Sequence, residues 1–228
     1  MKSRELEIAD GLAAVEERIK AATLSAGRAR EEVTLIAVTK TYPASDVEIL
    51  RNLGVANFGE NRSEEAQVKA AQISGTWHFQ GQVQSRKLRD IAGWASFIHS
   101  LDSIEHVERL SRIANEMGKD FPIFLQISLD GAPDRGGVVA EEIQALAEKV
   151  SKLPQIKFVG LMCVPPVEYE HQRAFAEIAA IHQEILKNFP SARFLSAGMS
   201  SDFEVAIAHG ATHIRIGSQI LGPRQYHP

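Results

Sequence analysis

Eight short apolar runs recur along the chain, each separated from the next by a segment of helical spacing, and this alternation restricts the fold more than any other feature. The runs cover residues 34–38, 56–58, 77–80, 97–100, 123–127, 158–162, 193–196 and 214–216. Each is short, rich in β-branched and aromatic residues, and bounded by polar or glycine-containing segments, which reads as a strand. Between them, residues 45–53, 63–71, 103–117, 140–153, 170–189 and 202–209 repeat apolar side chains every three or four positions, the spacing of a one-sided helix. An earlier segment does the same through Ile8, Leu12, Val15, Ile19 and Ala22, with Gly27 just past its end. Strands that alternate with helices run parallel under helices packed outside them. Eight such units close into an α/β fold of the (β/α)8 TIM-barrel type, here with an extra N-terminal helix.

The chain has 228 residues, short for a barrel, so its loops must be lean. No linker rich in Pro, Gly or Ser divides it, and one domain over 1–228 is expected. An open doubly wound sheet is the structural alternative. No GxGxxG follows the first strand, which lowers its dinucleotide-binding version.

Charge and composition exclude several partners. The net charge is −4, with no long basic block, which argues against nucleic acid. A single cysteine, Cys163, permits neither an intramolecular disulfide nor a zinc-type cysteine cluster. The first 19 residues carry charges at almost every turn, unlike a signal peptide. No run is long and apolar enough to span a bilayer. A cytoplasmic location and no membrane partner are therefore expected.

In a barrel of this kind the chemistry sits at the C-terminal ends of the strands. The residues that follow the strands are Lys40, Gly59-Glu60-Asn61, Gly81-Gln82, Asp102, Ser128, Cys163, Ser196 to Ser201, and Gly217-Ser218. A lysine in the barrel mouth would be desolvated, which lowers its pKa and frees the amine to attack an aldehyde. The alternative is a surface lysine in a βα loop. Ser196-Ala-Gly-Met-Ser-Ser-Asp202 precedes a helix for which Ser200 or Ser201 suits the N-cap. Arg215-Ile-Gly-Ser218 follows the last strand, and Gly217 would let backbone approach a ligand. Barrels commonly hold phosphate between exactly these last two loops, so a phosphate-bearing ligand is expected. Arg215 lies between Ile214 and Ile216 and so faces the other side of its strand. It points either into the barrel, where it needs a partner, or toward the helices. His78, inside a strand, reads first as a packed core histidine. No metal-ligand spacing, P-loop or nucleophile elbow occurs. Glu60 and Asp102 form a candidate carboxylate pair.

Several ordered segments resemble one family. Ala37-Val-Thr-Lys40, Phe58-Gly-Glu-Asn61, Trp77-His-Phe-Gln-Gly81, Gly160-Leu-Met162, Leu195-Ser-Ala-Gly-Met-Ser-Ser-Asp202 and Arg215-Ile-Gly-Ser218 are similar to YggS/PROSC proteins. That family resembles the barrel domain of alanine racemase among the fold-type III pyridoxal 5′-phosphate (PLP) proteins. The resemblance implies PLP bound covalently as an internal aldimine on Lys40. It implies a phosphate site at Ser200, Gly217 and Ser218, and Arg215 facing the pyridine nitrogen. It puts Asn61, His78 and Met199 in the cofactor pocket. Arg86 and Arg135 depart from the family pattern, outside the cofactor motifs.

The implied function is PLP (vitamin B6) homeostasis by a carrier, with no catalytic residue assigned. The alternative is a PLP-dependent amino-acid racemase, whose second base would have to be Tyr42 or His78. The second domain that racemases carry is expected to be missing. A PLP-free Schiff-base aldolase explains the lysine and the phosphate site but not the ordered motifs. Expected partners are PLP, amino acids and PLP-dependent apo-enzymes, and the expected state is a monomer.

Overall fold

The computed structural model describes residues 2–133 and 135–223. Eight parallel strands follow one another around a closed barrel, β1 (Thr34–Val38), β2 (Asn57–Glu60), β3 (Thr76–Phe79), β4 (Phe97–Leu101), β5 (Phe121–Ile127), β6 (Ile156–Cys163), β7 (Phe194–Ser196) and β8 (His213–Ile216). β8 pairs with β1 to close the ring, Ile36 opposite Arg215. The helices are α1 (Arg4–Ser25), α2 (Ala44–Asn52), α3 (Ser63–Gln72), α4 (Leu88–Trp94), α5 (Ile104–Glu116), α6 (Ala140–Val150), α7 (His171–Asn188), α8 (Phe203–Ala208) and α9 (Ser218–Leu221). The expected barrel is present. Two helices, α4 and α9, add to the sequence expectation.

Local signals explain the helix ends. Ser3 caps α1 by accepting from the Leu6 N–H at 3.3 Å, and Ser103 caps α5 through the His106 N–H. Such caps satisfy donors that the first helical turn leaves without partners. Past α1, Gly27 takes φ +67°, the left-handed turn that glycine adopts without a Cβ clash. Before α8 the expectation fails. Neither Ser200 nor Ser201 is the cap; Asp202 takes that position, and its carboxylate accepts from the Met199 N–H at 2.6 Å. Asp202 folds the turn back instead of capping forward, which leaves the serines in the loop.

The main apolar core lies between the strands and the helices. Leu35, Ala37, Phe58, Ile98, Leu125, Leu161, Leu195 and Ile214 on the strands join Val47, Leu50, Leu110, Ile143, Phe175, Ile178 and Phe203 on the helices in one buried cluster. Burying a side chain of this size stabilises the fold by roughly 1.5–3 kcal/mol.

The barrel interior is different in kind. Its lower layer is aromatic and polar, built of His78, His99, His213, Phe97, Phe124 and Phe194. His99 stacks on Phe124 at 4.1 Å between centroids and His78 on Phe97 at 5.0 Å. All three histidines are buried and held neutral. Burial pushes His78 down to about 3 and His213 to about 4, and drives His99 well below its ordinary value.

α1 packs across α2, α8 and α9 and braces the last βα loop. Arg18 donates to Glu204 on α8 and to Gln219 on α9. Gly11 lets α1 approach α9 closely, since a Cβ there would lie 2.6 Å from the Ile220 carbonyl oxygen. Gly11→Ala should therefore cost about 1–3 kcal/mol in chemical denaturation. At Gly93, in α4, a Cβ would meet nothing within 4 Å. Gly93→Ala should instead be neutral or stabilise by up to about 1 kcal/mol, so the pair separates close packing from helix propensity.

Candidate functional site

A cavity of about 410 Å3 opens at the C-terminal ends of the strands, within the usual range for small-molecule sites. Val38 ends β1 and Lys40 lies two residues past it, and both line this cavity. Glu60 and Asn61 enter from β2, Gln80 from β3, and Met162 and Val164 from β6. Met199, Ser200 and Ser201 come from the β7–α8 loop, and Arg215, Gly217 and Ser218 from β8 and its loop. Seven of the eight residues expected in the cofactor pocket, Lys40, Asn61, Met199, Ser200, Arg215, Gly217 and Ser218, thus line one cavity.

His78 is not among the lining residues. It is 1% exposed within the barrel, with Nδ1 2.8 Å from His99 and Nε2 3.0 Å from Asn57. The packed-core reading of this histidine describes its surroundings. Its ring sits in the layer beneath the cavity because the strand residue on the same face nearer the barrel mouth, Gln80, occupies the wall.

Arg215 points into the barrel. It is 6% exposed, and its guanidinium donates to Ser196 Oγ and to the Cys163 carbonyl oxygen, each at 2.9 Å. Burial lowers it to about 10, which leaves it cationic at neutral pH. Among the described residues no carboxylate forms a salt bridge with it, so neutral oxygens hold the cation at the cavity wall. The Cys163 thiol beside it is pushed up to about 12 by burial and stays protonated, as an inert thiol does.

Gly217 has a packing use within the fold. Its φ is −121°, open to any residue. A Cβ there would lie 3.1 Å from the Val38 carbonyl oxygen, so the missing side chain serves the approach of the β8 loop to β1. The two final loops are tied together, since the Gln219 amide donates to the Ser200 carbonyl at 2.7 Å. Among the described residues, the backbone N–H groups of Ser200, Ser201, Gly217 and Ser218 take part in no hydrogen bond. Four amides without acceptors at one end of a cavity form a cradle suited to an anion.

The cavity lining also holds polar side-chain atoms without partners. Glu60 Oε2, Asn61 Oδ1 and Gln80 Nε2 are buried and make no hydrogen bond among the described residues. Buried polar atoms are normally satisfied, and a polar ligand in the cavity would satisfy these. Behind Glu60 lies a buried charge cluster. The Lys69 ammonium, 4% exposed, donates to Glu60 Oε1, to the Thr39 carbonyl and to Glu65. Thr39 Oγ1 also donates to Glu60 Oε1, at 2.7 Å. Burial nevertheless raises the Glu60 carboxyl above its ordinary value, against the pull of Lys69.

The other strand-end residues have structural roles. Asp102 does not reach the cavity to pair with Glu60; its carboxylate accepts from the Gly137 N–H at 3.0 Å and anchors the loop after β5. Ser128 donates to Asp130 in that same loop. Arg135 donates to the Val164 carbonyl, and Arg86 folds back on Gln84. Gln80, Met162 and Val164 were missed as site residues. For Gln80 a signal existed: counting alternate residues from His78 puts it on the inward face. Beyond Lys40, Thr41 takes φ +70°, costly for a β-branched residue and held by its N–H donating to Glu65 at 2.7 Å.

A closed eight-stranded barrel with a lysine, a buried arginine and an anion cradle around one cavity defines the alanine-racemase type of barrel. The family profile described as alanine racemase, N-terminal domain, matches residues 12–225. The chain belongs to the pyridoxal phosphate homeostasis protein family, the YggS/PROSC group. It is 37% identical to the pyridoxal phosphate homeostasis protein of Mycobacterium leprae, over 96% of this chain and 94% of that one. With the protein of the same description from Corynebacterium glutamicum it shares 39% identity, over 91% and 97%. The structure of PipY from Synechococcus elongatus with PLP bound superposes with a TM-score of 0.83 at 35% identity, covering 94% of this chain and all of that one. A Clostridium difficile alanine racemase, at 16% identity and a TM-score of 0.74, shares the barrel fold, which is matched over 56% of that longer chain.

Proposed function

We propose that this chain holds PLP in the 410 Å3 cavity, as a Schiff base on Lys40, and acts in PLP homeostasis by keeping and releasing it. One observation carries the reading. Lys40, the Arg215 cation and the four unpartnered loop amides line the same cavity, with Lys40 just past β1 and the amides on the loops after β7 and β8. PLP supplies an aldehyde for an amine and an anionic phosphate for a cradle.

In this reading Ser200, Gly217 and Ser218 bind the phosphate, and Arg215 faces the pyridine nitrogen. An arginine keeps that nitrogen unprotonated, which weakens the electron sink while leaving imine formation intact. Asn61 and Met199 flank the ring. The unpartnered atoms of Glu60, Asn61 and Gln80 suit the polar substituents of a bound pyridine. His78 acts from below the cavity. PLP-dependent apo-enzymes are the receivers we propose, from a cytoplasmic monomer that also meets amino acids. Among the described residues no helix is long and apolar enough to cross a membrane.

Adding PLP to the purified protein and reducing with borohydride, followed by peptide mapping, tests the reading. A phosphopyridoxyl group on Lys40 is expected. A colourless protein, or a label on another lysine, would overturn it. Ser200→Ala and Ser218→Ala should each weaken PLP retention by roughly 1–3 kcal/mol, the worth of a hydrogen bond to a charged group. Equilibrium dialysis of the double variant checks this. Incubation of holoprotein with single L-amino acids in heavy water separates a carrier from a racemase. The carrier reading predicts no sustained exchange at Cα with inversion.

A further inference from the structure

We propose that a one-directional hydrogen-bond chain through the barrel interior, Arg215 to Ser196 to His99 to His78 to Asn57, locks the Arg215 guanidinium at the cavity wall, with His78, His99 and Ser196 as positioning residues. Four contacts compose it. Arg215 Nη1 is 2.9 Å from Ser196 Oγ, and Ser196 Oγ is 2.9 Å from His99 Nδ1. His99 Nε2 is 2.8 Å from His78 Nδ1, and His78 Nε2 is 3.0 Å from Asn57 Oδ1. The residues come from β8, β7, β4, β3 and β2, so the chain crosses the barrel from the cavity to the N-terminal end of β2.

The direction follows from valence. A guanidinium only donates, so Ser196 Oγ accepts from it. A hydroxyl oxygen can accept twice, so the Asn57 end of the chain decides where the serine proton goes, and Oδ1 there makes Ser196 donate to His99 Nδ1. A neutral imidazole that accepts at Nδ1 carries hydrogen on Nε2, so His99 donates to His78 Nδ1. His78, by the same rule, carries hydrogen on Nε2 and donates to the Asn57 side chain. That last acceptor must be an oxygen, and Oδ1 is the Asn57 atom in contact. The reverse polarity would require an amide nitrogen there. Burial keeps both rings neutral, which a chain of single donors and acceptors needs. The rings are also clamped by stacking on Phe97 and Phe124.

The consequence lies at Arg215. With Nη2 held by the Cys163 carbonyl and Nη1 by a serine whose own proton is committed, the guanidinium plane has one orientation. Breaking the chain at His99 frees the Ser196 hydroxyl to turn and loosens that plane. The effect on PLP rests on the function proposed above; the effect on the arginine does not.

Nitrogen-15 NMR of the PLP-free protein tests the chain directly. His78 and His99 should both appear as neutral Nε2–H tautomers, unchanged from pH 6 to pH 9. The Arg215 Nη groups should give separate signals, the signature of hindered rotation. In His99→Phe those signals should coalesce. In His99→Gln, whose amide can accept from Ser196 and donate to His78, they should stay separate. In holoprotein, PLP should leave His99→Phe about tenfold faster, the loss of one hydrogen bond on a charged group, and at the native rate from His99→Gln. Should His99→Phe fail to fold, Ser196→Ala breaks the chain one link nearer the arginine and is read the same way. An Nδ1–H tautomer at either histidine, or Arg215 signals identical in wild type and the broken variant, would overturn the proposal. Failure of PLP to bind wild type at all would instead remove the function proposed above, leaving the arginine signals to judge the chain.

Discussion

Lys40→Ala should abolish every covalent PLP adduct while leaving the fold intact and a weaker, reversible PLP binding in place. The side chain belongs to the cavity wall and is partly exposed, outside the apolar cluster, so its truncation removes no core packing. The amide cradle, the serines and Arg215 remain, because they sit on other strands and loops. Borohydride treatment of Lys40→Ala with PLP should give no stoichiometric label, against one per chain in wild type. Retention by dialysis should fall at least about a hundredfold, the equivalent of roughly 2.7 kcal/mol. Equal labelling of the two proteins would mean that the reactive amine lies elsewhere.

Lys69→Met should be among the most destabilising single changes in the protein, about 3–5 kcal/mol. Its ammonium is buried among the Thr39 carbonyl, Glu60 and Glu65, and removing it strands the Glu60 carboxylate, itself 1% exposed. The loss should depend on pH. Burial already raises Glu60 above 4.5, and Lys69 opposes that rise. A raised carboxyl binds its proton better in the folded state, so stability falls as pH climbs from the unfolded value through the folded one. Without Lys69 the folded value moves higher and the window widens upward. The deficit of Lys69→Met should therefore be smaller at pH 5 than at pH 8. Adding Glu60→Gln should recover much of it, since the stranded charge is then gone. Urea denaturation at the two pH values measures both effects. A deficit that grows toward acid would contradict this assignment of the charge.

The barrel was legible in the sequence because its alternation repeats eight times, and one misjudged boundary does not disturb the rest. The sequence places the first strand at 34–38, its observed extent, because alternation and a following loop bracket it. α4 and α9 were not foreseen. They have seven and four residues, too few turns for a helical period to emerge. The strand boundaries slipped where a polar residue ends the run. A third strand over 77–80 points to Gln82, which is exposed, whereas it is Gln80 that lines the cavity.

The cavity lining at the strand ends was legible because a barrel brings its strand-end residues together at one mouth. Long-range partnerships were not. Nothing in the nine-residue spacing of Glu60 and Lys69 announces a buried ion pair. His99 went unnoticed beside His78, although both are the third residue of neighbouring strands. Equivalent positions on successive inward faces were the signal that would have joined them. The Ser200 or Ser201 cap was wrong because residue type alone cannot say whether a carboxylate two positions on, Asp202, will take the turn instead.

Where PLP sits is measured directly by a diffraction structure of the protein crystallised with it. It should show density continuous from Lys40 Nζ into a pyridine ring whose nitrogen faces Arg215, with the phosphate against the amides of Ser200, Gly217 and Ser218. PLP joined to any other lysine, or a phosphate lying outside the loops after β7 and β8, would contradict it.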